Sequence, residues 1–342
     1  MDPAPIKRPA HRTWANRLLS GLLLLVLVSL GLTGCNGPDT STLRIAVNPW
    51  PGYSYFAVAE AQGMFAESSS LDVEIIETAS LGDSLRAFER GQVDLIGGTL
   101  AELTDINAHG RRPAKAILIL DRSIGGDMIV ATESIATLED LEGKRVALEP
   151  ASANILVLAA AADQSDLDLD QVELVPLPQG EIPAALEKHK IDAAVTYPPV
   201  AQALLDLPGT HRLFDTRHSP NAVVDVLIAA EDVISQRPQA LKRLIAAHDQ
   251  ALKWSRDNPD AARRIVARHS GLSLQEVASL ESAIEMLTID EQQPMWSADG
   301  PLPHALVGAS AILARLHDHQ SPGLEQAERM LDATFVRDTD SR

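Results

Sequence analysis

Cysteine is almost missing from this chain of 342 residues: there is one, Cys35. A single thiol excludes a disulfide framework and a cysteine-built zinc site. Aromatic residues make up only 4%, so few positions can stack on a ligand. Basic residues are in deficit, 29 Lys and Arg against 47 Asp and Glu, for a net charge of −18. A body of that charge repels phosphate backbones, which excludes nucleic acid as a first partner. The G-x-S-x-G elbow, the Walker A loop and the H-E-x-x-H zinc motif are all absent, so no familiar catalytic signature stands in the chain. What is present is apolar and regular. Hydrophobic residues make up 45%, in recurrent short runs that argue against disorder and for more than one packed core.

The one cysteine closes a tripartite N-terminus. Lys7, Arg8, Arg12 and Arg17 precede an apolar run at residues 18–32, and Leu32-Thr33-Gly34-Cys35 follows. The run falls short of the roughly 20 residues of a permanent membrane span, and its flanks suit a removable export signal. The arrangement resembles a bacterial lipoprotein signal. That implies removal of residues 1–34, acylation of Cys35 and a polar tether at 35–42. An ordinary export signal with a chance cysteine is the alternative.

Beyond the tether, strand-like and helix-like stretches alternate. Strands are expected at residues 43–47, 73–76, 93–96, 116–120, 128–131, 145–148, 172–175 and 191–195, with an apolar run at 222–230. Helices are expected at 55–62, 83–90, 100–109, 155–163 and 182–190, several of them stopped by glycine. From residue 238 to about 317 the pattern is helical. Short strands separated by helices imply βαβ crossovers and mostly parallel sheets, here in two units followed by a helical tail. His317-Asp318-His319 reads as a solvated helix end rather than a metal site, and His248 and His269, set among charged residues, read as surface.

Ligands of open α/β sheets sit beyond the carboxyl ends of the strands, so four loops matter. They are Asn48-Pro49-Trp50-Pro51-Gly52-Tyr53-Ser54-Tyr55, Gly97-Gly98-Thr99, Glu149-Pro150-Ala151-Ser152 and Thr196-Tyr197-Pro198-Pro199. Thr99 stands three residues before Glu102, a capping-box spacing, and Ser152 is placed to cap the next helix.

The order of motifs resembles a known family. Trp50-Pro51-Gly52-Tyr53 followed by Ala59-Glu60-Ala61-Gln62-Gly63-Met64-Phe65, then Gly91-Gln92-Val93-Asp94, Asp140-Leu141-Glu142-Gly143-Lys144-Arg145-Val146 and Lys190-Ile191-Asp192-Ala193-Ala194, is similar to the nitrate/sulfonate/taurine family of ABC-transporter substrate-binding proteins, with its thiamine-pyrimidine-precursor-like members. The resemblance covers about residues 43–230. It implies a type II periplasmic-binding-protein fold, in which two α/β lobes joined by two crossing strands close on a solute. Residues 43–126 and 227–342 would form lobe 1, and 127–226 lobe 2. It further implies a receptor that delivers a small molecule to an ABC permease and its ATPase, with no cofactor and no catalytic residue. A thiamine-pyrimidine-synthase-like enzyme and a ligand-sensing regulatory module on the same fold are the alternatives. The first needs a cysteine-rich motif and the second a DNA-binding unit, and neither is here.

Trp50, Gly52, Tyr53, Tyr55, Thr99, Asp127, Ser152 and Tyr197 are the candidate ligand-binding residues. Asp121, Gly125, Gly126 and Asp225 are the candidate hinge. Plainer roles stand beside these: Trp50 and Tyr53 as loop residues packed on the adjacent helix, Tyr55 as core, Thr99 and Ser152 as helix caps, Asp127 as a third hinge carboxylate. The loops hold aromatic rings and a carboxylate but no lysine, and Arg122, the one nearby arginine, is placed to point away from the hinge. Aromatic faces and a carboxylate suit a nitrogen-containing organic solute better than an inorganic anion.

Overall fold

In the computed structural model, the described residues are 42–67, 71–149, 152–317 and 323–337. The export signal, Cys35 and all but the last residue of the tether lie outside them, as do Pro150, Ala151 and the Asp318-His319 pair. Among the described residues no helix is long and apolar enough to cross a membrane.

Strand β1 (Leu43–Val47) is almost wholly buried because parallel partners flank it, β2 (Val73–Glu77) on one side and β3 (Leu95–Thr99) on the other. Strands covered on both faces read as continuous apolar runs. The pattern is clearest in β10 (Val224–Ala230), which is buried at every residue and runs antiparallel between β3 and β4 (Ala114–Ser123). With β11 (Ile284–Met286) on β4, the first sheet has the order β11-β4-β10-β3-β1-β2. The second sheet repeats the plan on fewer strands, in the order β7-β6-β8-β5-β9. It comprises β5 (Met128–Thr132), β6 (Arg145–Leu148), β7 (Glu173–Pro176), β8 (Ala193–Thr196) and β9 (Thr210–Asp215). Its β6, β7 and β8 are parallel, while β5 inserts antiparallel between β8 and β9. These are the two α/β lobes of a periplasmic-binding-protein fold. The chain passes between the sheets twice, through residues 124–127 and 216–223, so the first sheet takes up the returning strand at Val224.

Several expectations change, the first being that the sheets are mostly parallel: β5, β10 and β11 pair antiparallel with every neighbour they have. The pattern stops β3 at Ile96, yet the strand continues through Gly97-Gly98 to Thr99. The glycines are there because the Tyr53 ring lies across the strand, and a Cβ on Gly97 would come within 3.1 Å of it. The tail is not wholly helical, since Ile284–Met286 adds an edge strand to β4. His248 is not at the surface. It is 1% exposed and its ring centroid is 4.8 Å from that of Phe56. Burial pushes its pKa down to about 4, with Asp249 opposing the shift. His269 is half-buried, with Nδ1 3.2 Å from the Ser54 hydroxyl.

Candidate functional site

After β1 the chain turns at Asn48 into a single 3-10 turn, Pro51–Ser54, with proline at its start. That turn throws Trp50 and Tyr53 onto the carboxyl end of the first sheet. The Trp50 indole donates to Asp121 Oδ2 at 3.0 Å, and the Tyr53 hydroxyl donates to Asp225 Oδ1. Asp121 and Asp225 face each other across the β4–β10 ladder. Both are buried. Desolvation pushes both carboxyls up, Asp225 the further; the charge of Asp121 adds to the rise of Asp225, while the Trp50 bond and a hydrogen bond with Asp225 restrain that of Asp121. Two adjacent carboxyls in such a setting hold a proton between them.

Thr99 closes β3 and opens the helix Leu100–His109 with a capping box: Glu102 Oε2 accepts from Thr99 N at 2.8 Å, and Thr99 Oγ1 accepts from Ala101 N at 3.1 Å. Glu102 lies 1% exposed behind Thr99, and burial outweighs its hydrogen bonds, raising its pKa to about 7. Asp127 ends the first crossing segment. Burial lifts it to about 6 against a bond from Ser123. The two crossings are tied by Ser123 Oγ to Thr216 Oγ1, by Gly125 N to the same oxygen, both at 2.8 Å, and by Thr216 N to the Asp127 carbonyl at 3.1 Å.

The second lobe supplies Tyr197 and Ser152. The Tyr197 hydroxyl donates to Glu149 Oε2 at 2.8 Å, and its ring meets Trp50 edge-on with centroids 6.0 Å apart. Glu149 also faces the Ser80 hydroxyl and the Gly82 N–H of the first lobe, at the start of the helix Leu81–Glu89. The positive end of that helix dipole is thus covered by the protein's own carboxylate. Ser152 does not cap the next helix as expected. Its hydroxyl donates to the Glu149 carbonyl at 2.9 Å and accepts from Asn154 N at 3.3 Å, fixing the preceding turn, while the helix Asn154–Ala162 starts without a side-chain cap.

Of the expected ligand-binding residues, Trp50, Tyr53, Thr99, Asp127, Ser152 and Tyr197 come together around one cleft, with Asp225 beside them. Its free volume is about 20 Å³, room for roughly one water, so the lobes are closed on each other. Gly52 and Tyr55 do not join. Gly52 packs behind Trp50, where a Cβ would fall 1.8 Å from Asp121 Oδ2. Tyr55 lines a different cavity of about 280 Å³, walled by Leu252, Val266, Leu280 and Met286 among others. That cavity is larger but mostly apolar. Gly125 has φ of +125°, a region glycine enters readily, and a Cβ on Gly126 would lie 2.9 Å from the Trp50 ring.

The pattern missed Asn48, Asn154, Glu102 and Glu149. All four are buried, and three hold polar atoms without a hydrogen-bond partner among the described residues. Of the residues that line the cleft, Asn48 Oδ1, Asp127 Oδ2, Asp225 Oδ2 and Asn154 Nδ2 have no partner among the described residues beyond the proton Asp225 shares with Asp121, and Glu102 Oε1 and Asp121 Oδ1 are unpartnered behind the wall. No lysine, arginine or histidine lines the cleft. Arg122 points away from it, to Glu285 and to Asn221 Oδ1 at 2.9 Å. No cluster among the described residues is built to hold a metal ion.

Two lobes closed over a small polar cleft define a protein of the periplasmic-binding-protein class. The chain belongs to the NMT1/THI5-like family, whose model matches residues 50–262. It is 26% identical over 265 residues to the taurine-binding periplasmic protein of Escherichia coli (strain K12), spanning 75% of this chain and 81% of that one. Among solved structures it is similar to the periplasmic aliphatic sulphonate binding protein SsuA from Escherichia coli, with a TM-score of 0.67 and 17% identity over 84% of this chain and 97% of that one. It is likewise similar to the periplasmic nitrate-binding protein NrtA from Synechocystis PCC 6803, with a TM-score of 0.70 and 12% identity over 88% and 89%.

Proposed function

We propose that this chain is the extracytoplasmic receptor of an ABC importer. It traps a small nitrogen-containing organic solute between its lobes and presents it to a permease with an associated ATPase. The observation that carries the reading is the cleft itself. Aromatic side chains from both lobes, Trp50 and Tyr197, meet edge to face across it, and four polar atoms of its wall, on Asn48, Asp127, Asn154 and Asp225, lack partners among the described residues. The cleft binds and does not react. In this reading lobe 1 is 43–126 with 224–342 and lobe 2 is 127–223, the return lying at Val224 rather than after 226 because β10 belongs to the first sheet. The lobes turn about the crossings, at Gly125, Gly126 and 216–223, with Asp121 and Asp225 at the lobe 1 end. Trp50, Tyr53, Thr99, Asp127, Ser152 and Tyr197 bear on the solute, and Gly52 only positions Trp50. Closure of two lobes on a ligand is a hinge motion, and it shortens the molecule. Saturating solute is expected to lower the radius of gyration in solution scattering and to slow hydrogen exchange at residues 121–127 and 216–225. Solute binding without either change would remove the hinge receptor.

The receptor is held to a membrane through acylated Cys35, the export signal having been removed. Its acidic body adds nothing to membrane affinity, so attachment depends on the acyl chains. Cys35→Ser is expected to move the exported protein from the membrane to the soluble fraction. Persistent sedimentation with membranes would count against the anchor.

A further inference from the structure

Resting on the receptor reading, we infer that the solute is an organic cation with at least two N–H donors, an amidinium, guanidinium or primary ammonium, and that sulfonates and nitrate are excluded. The polar inventory of the closed cleft is lopsided. Three oxygens of the wall lack partners, Asn48 Oδ1, Asp127 Oδ2 and Asp225 Oδ2, against a single donor group, Asn154 Nδ2. A ligand completing this set must give several hydrogen bonds and accept few. An oxyanion does the reverse. It would also meet the two buried carboxyls of the wall, Asp127 and Asp225, each at most 4% exposed.

Among the described residues no lysine, arginine or histidine lines the cleft to balance them. Arg122 is engaged by Glu285, and Arg217, next to the crossing segment, is held by Asp215 at 2.5 Å. The other ionisable groups facing Asp127 are carboxyls and the phenols Tyr53 and Tyr197. The helix start at Ser80 that would suit an anion is covered by Glu149. A bare metal ion is the poorer occupant, since no described cluster offers it a ligand set and the walls include Trp50, Tyr53 and Tyr197, whose faces favour an organic cation.

Buried carboxyls without a cation keep protons instead, and burial indeed lifts Asp127 and Glu102 towards neutrality. Entry of a cation therefore releases a proton, and affinity should rise with pH. Linkage of one proton per cation corresponds to at most a tenfold gain per pH unit, reached only below the pKa of the carboxyl that gives it up.

The test is calorimetry on the full exported chain with methylguanidinium, benzamidinium, ethylammonium, tetramethylammonium, ethanesulfonate and nitrate, from pH 5.5 to 7.5. At least one of the three N–H cations is expected to bind, about fourfold more tightly at pH 7.5 than at pH 5.5, with the steepest gain below the Asp127 value of about 6. Tetramethylammonium, which has no N–H, should bind at least tenfold more weakly. Asp127→Asn should weaken the cation at least tenfold and flatten the pH slope. Should that variant not fold, Glu102→Gln removes one charge while keeping the Thr99 cap. Ethanesulfonate or nitrate binding with compaction would overturn the cation inference and leave the receptor standing. Cation binding without a pH slope, or no binding by any of the N–H cations at 10 mM, would also overturn it. Binding without compaction would instead sink the receptor reading.

Discussion

Gly52→Ala is expected to lower the melting temperature by about 5 °C or more and to abolish solute binding, although residue 52 does not line the cleft. A Cβ there would fall 1.8 Å from Asp121 Oδ2, 2.6 Å from Asp121 Cγ and 2.8 Å from the Trp50 indole nitrogen. The colliding groups have nowhere to go, because Asp121 is 0% exposed and bonded to Trp50. The methyl must break that bond or push the 3-10 turn away from the sheet. Overpacking of this kind costs about 1–3 kcal/mol, and the unpaired buried carboxyl adds about 1–3 kcal/mol more. Cutting back the obstacle gives the control. The double variant Gly52→Ala with Asp121→Ala should cost less than the sum of the two single changes, by about 1 kcal/mol or more, as expected of groups in contact. Strict additivity in thermal melts would show that the collision is not the cause.

The sequence pointed to the loop that lines the cleft, although Gly52 lies behind Trp50 and not in the wall. Pockets at the carboxyl ends of strands follow from topology, so the place of Trp50, Tyr53, Thr99, Ser152 and Tyr197 on the cleft is legible once the strands are, while Asp127 comes from a crossing segment. Strands sandwiched between neighbours, β1, β5, β6 and β10, declare themselves by continuous apolar runs. Edge strands do not. β9 reads Thr-His-Arg-Leu-Phe-Asp and pairs on one side only, while β11 has three residues. Which way Tyr55 faces depends on how its helix sits, and no local pattern states that. His248 had a usable signal: Leu241, Leu244, Ile245, His248 and Leu252 share one stripe of the helix Pro238–Asp257, and that spacing marks a buried face. Its charged sequence neighbour Asp249 obscured it. That Asp127 and Asp225 are buried in the cleft wall with no described cation beside them is a fact of tertiary structure, and no motif encodes it.

Buried carboxyls also make the unliganded protein lose stability as pH rises. A carboxyl with a folded pKa above its unfolded one binds more protons when folded, so its contribution is neutral below about pH 4. Stability is then lost as pH climbs through the folded value. For Asp127, raised to about 6 by burial, the full cost of ionisation is about 3 kcal/mol. For Glu102, raised to about 7, it is of similar size. His248 works in the opposite direction. Its pKa near 4 lies below the unfolded value, so its contribution is full above about pH 6.5 and is lost towards pH 4. The two effects overlap between pH 4 and 6.5, and a wild-type profile alone would blur them. The difference between Asp127→Asn and wild type isolates the carboxyl. In denaturant melts that difference is expected near zero or slightly unfavourable at pH 4.5, where Asp127 is already protonated. It should grow to about 2 kcal/mol in favour of the variant at pH 8, where the wild type carries an uncompensated buried charge. A substitution that stabilises the empty protein while weakening the solute marks a group kept for binding at the expense of the fold. A pH-independent difference would mean that Asp127 ionises in the folded cleft as it does in water, and the argument for a cation-seeking site would fall with it.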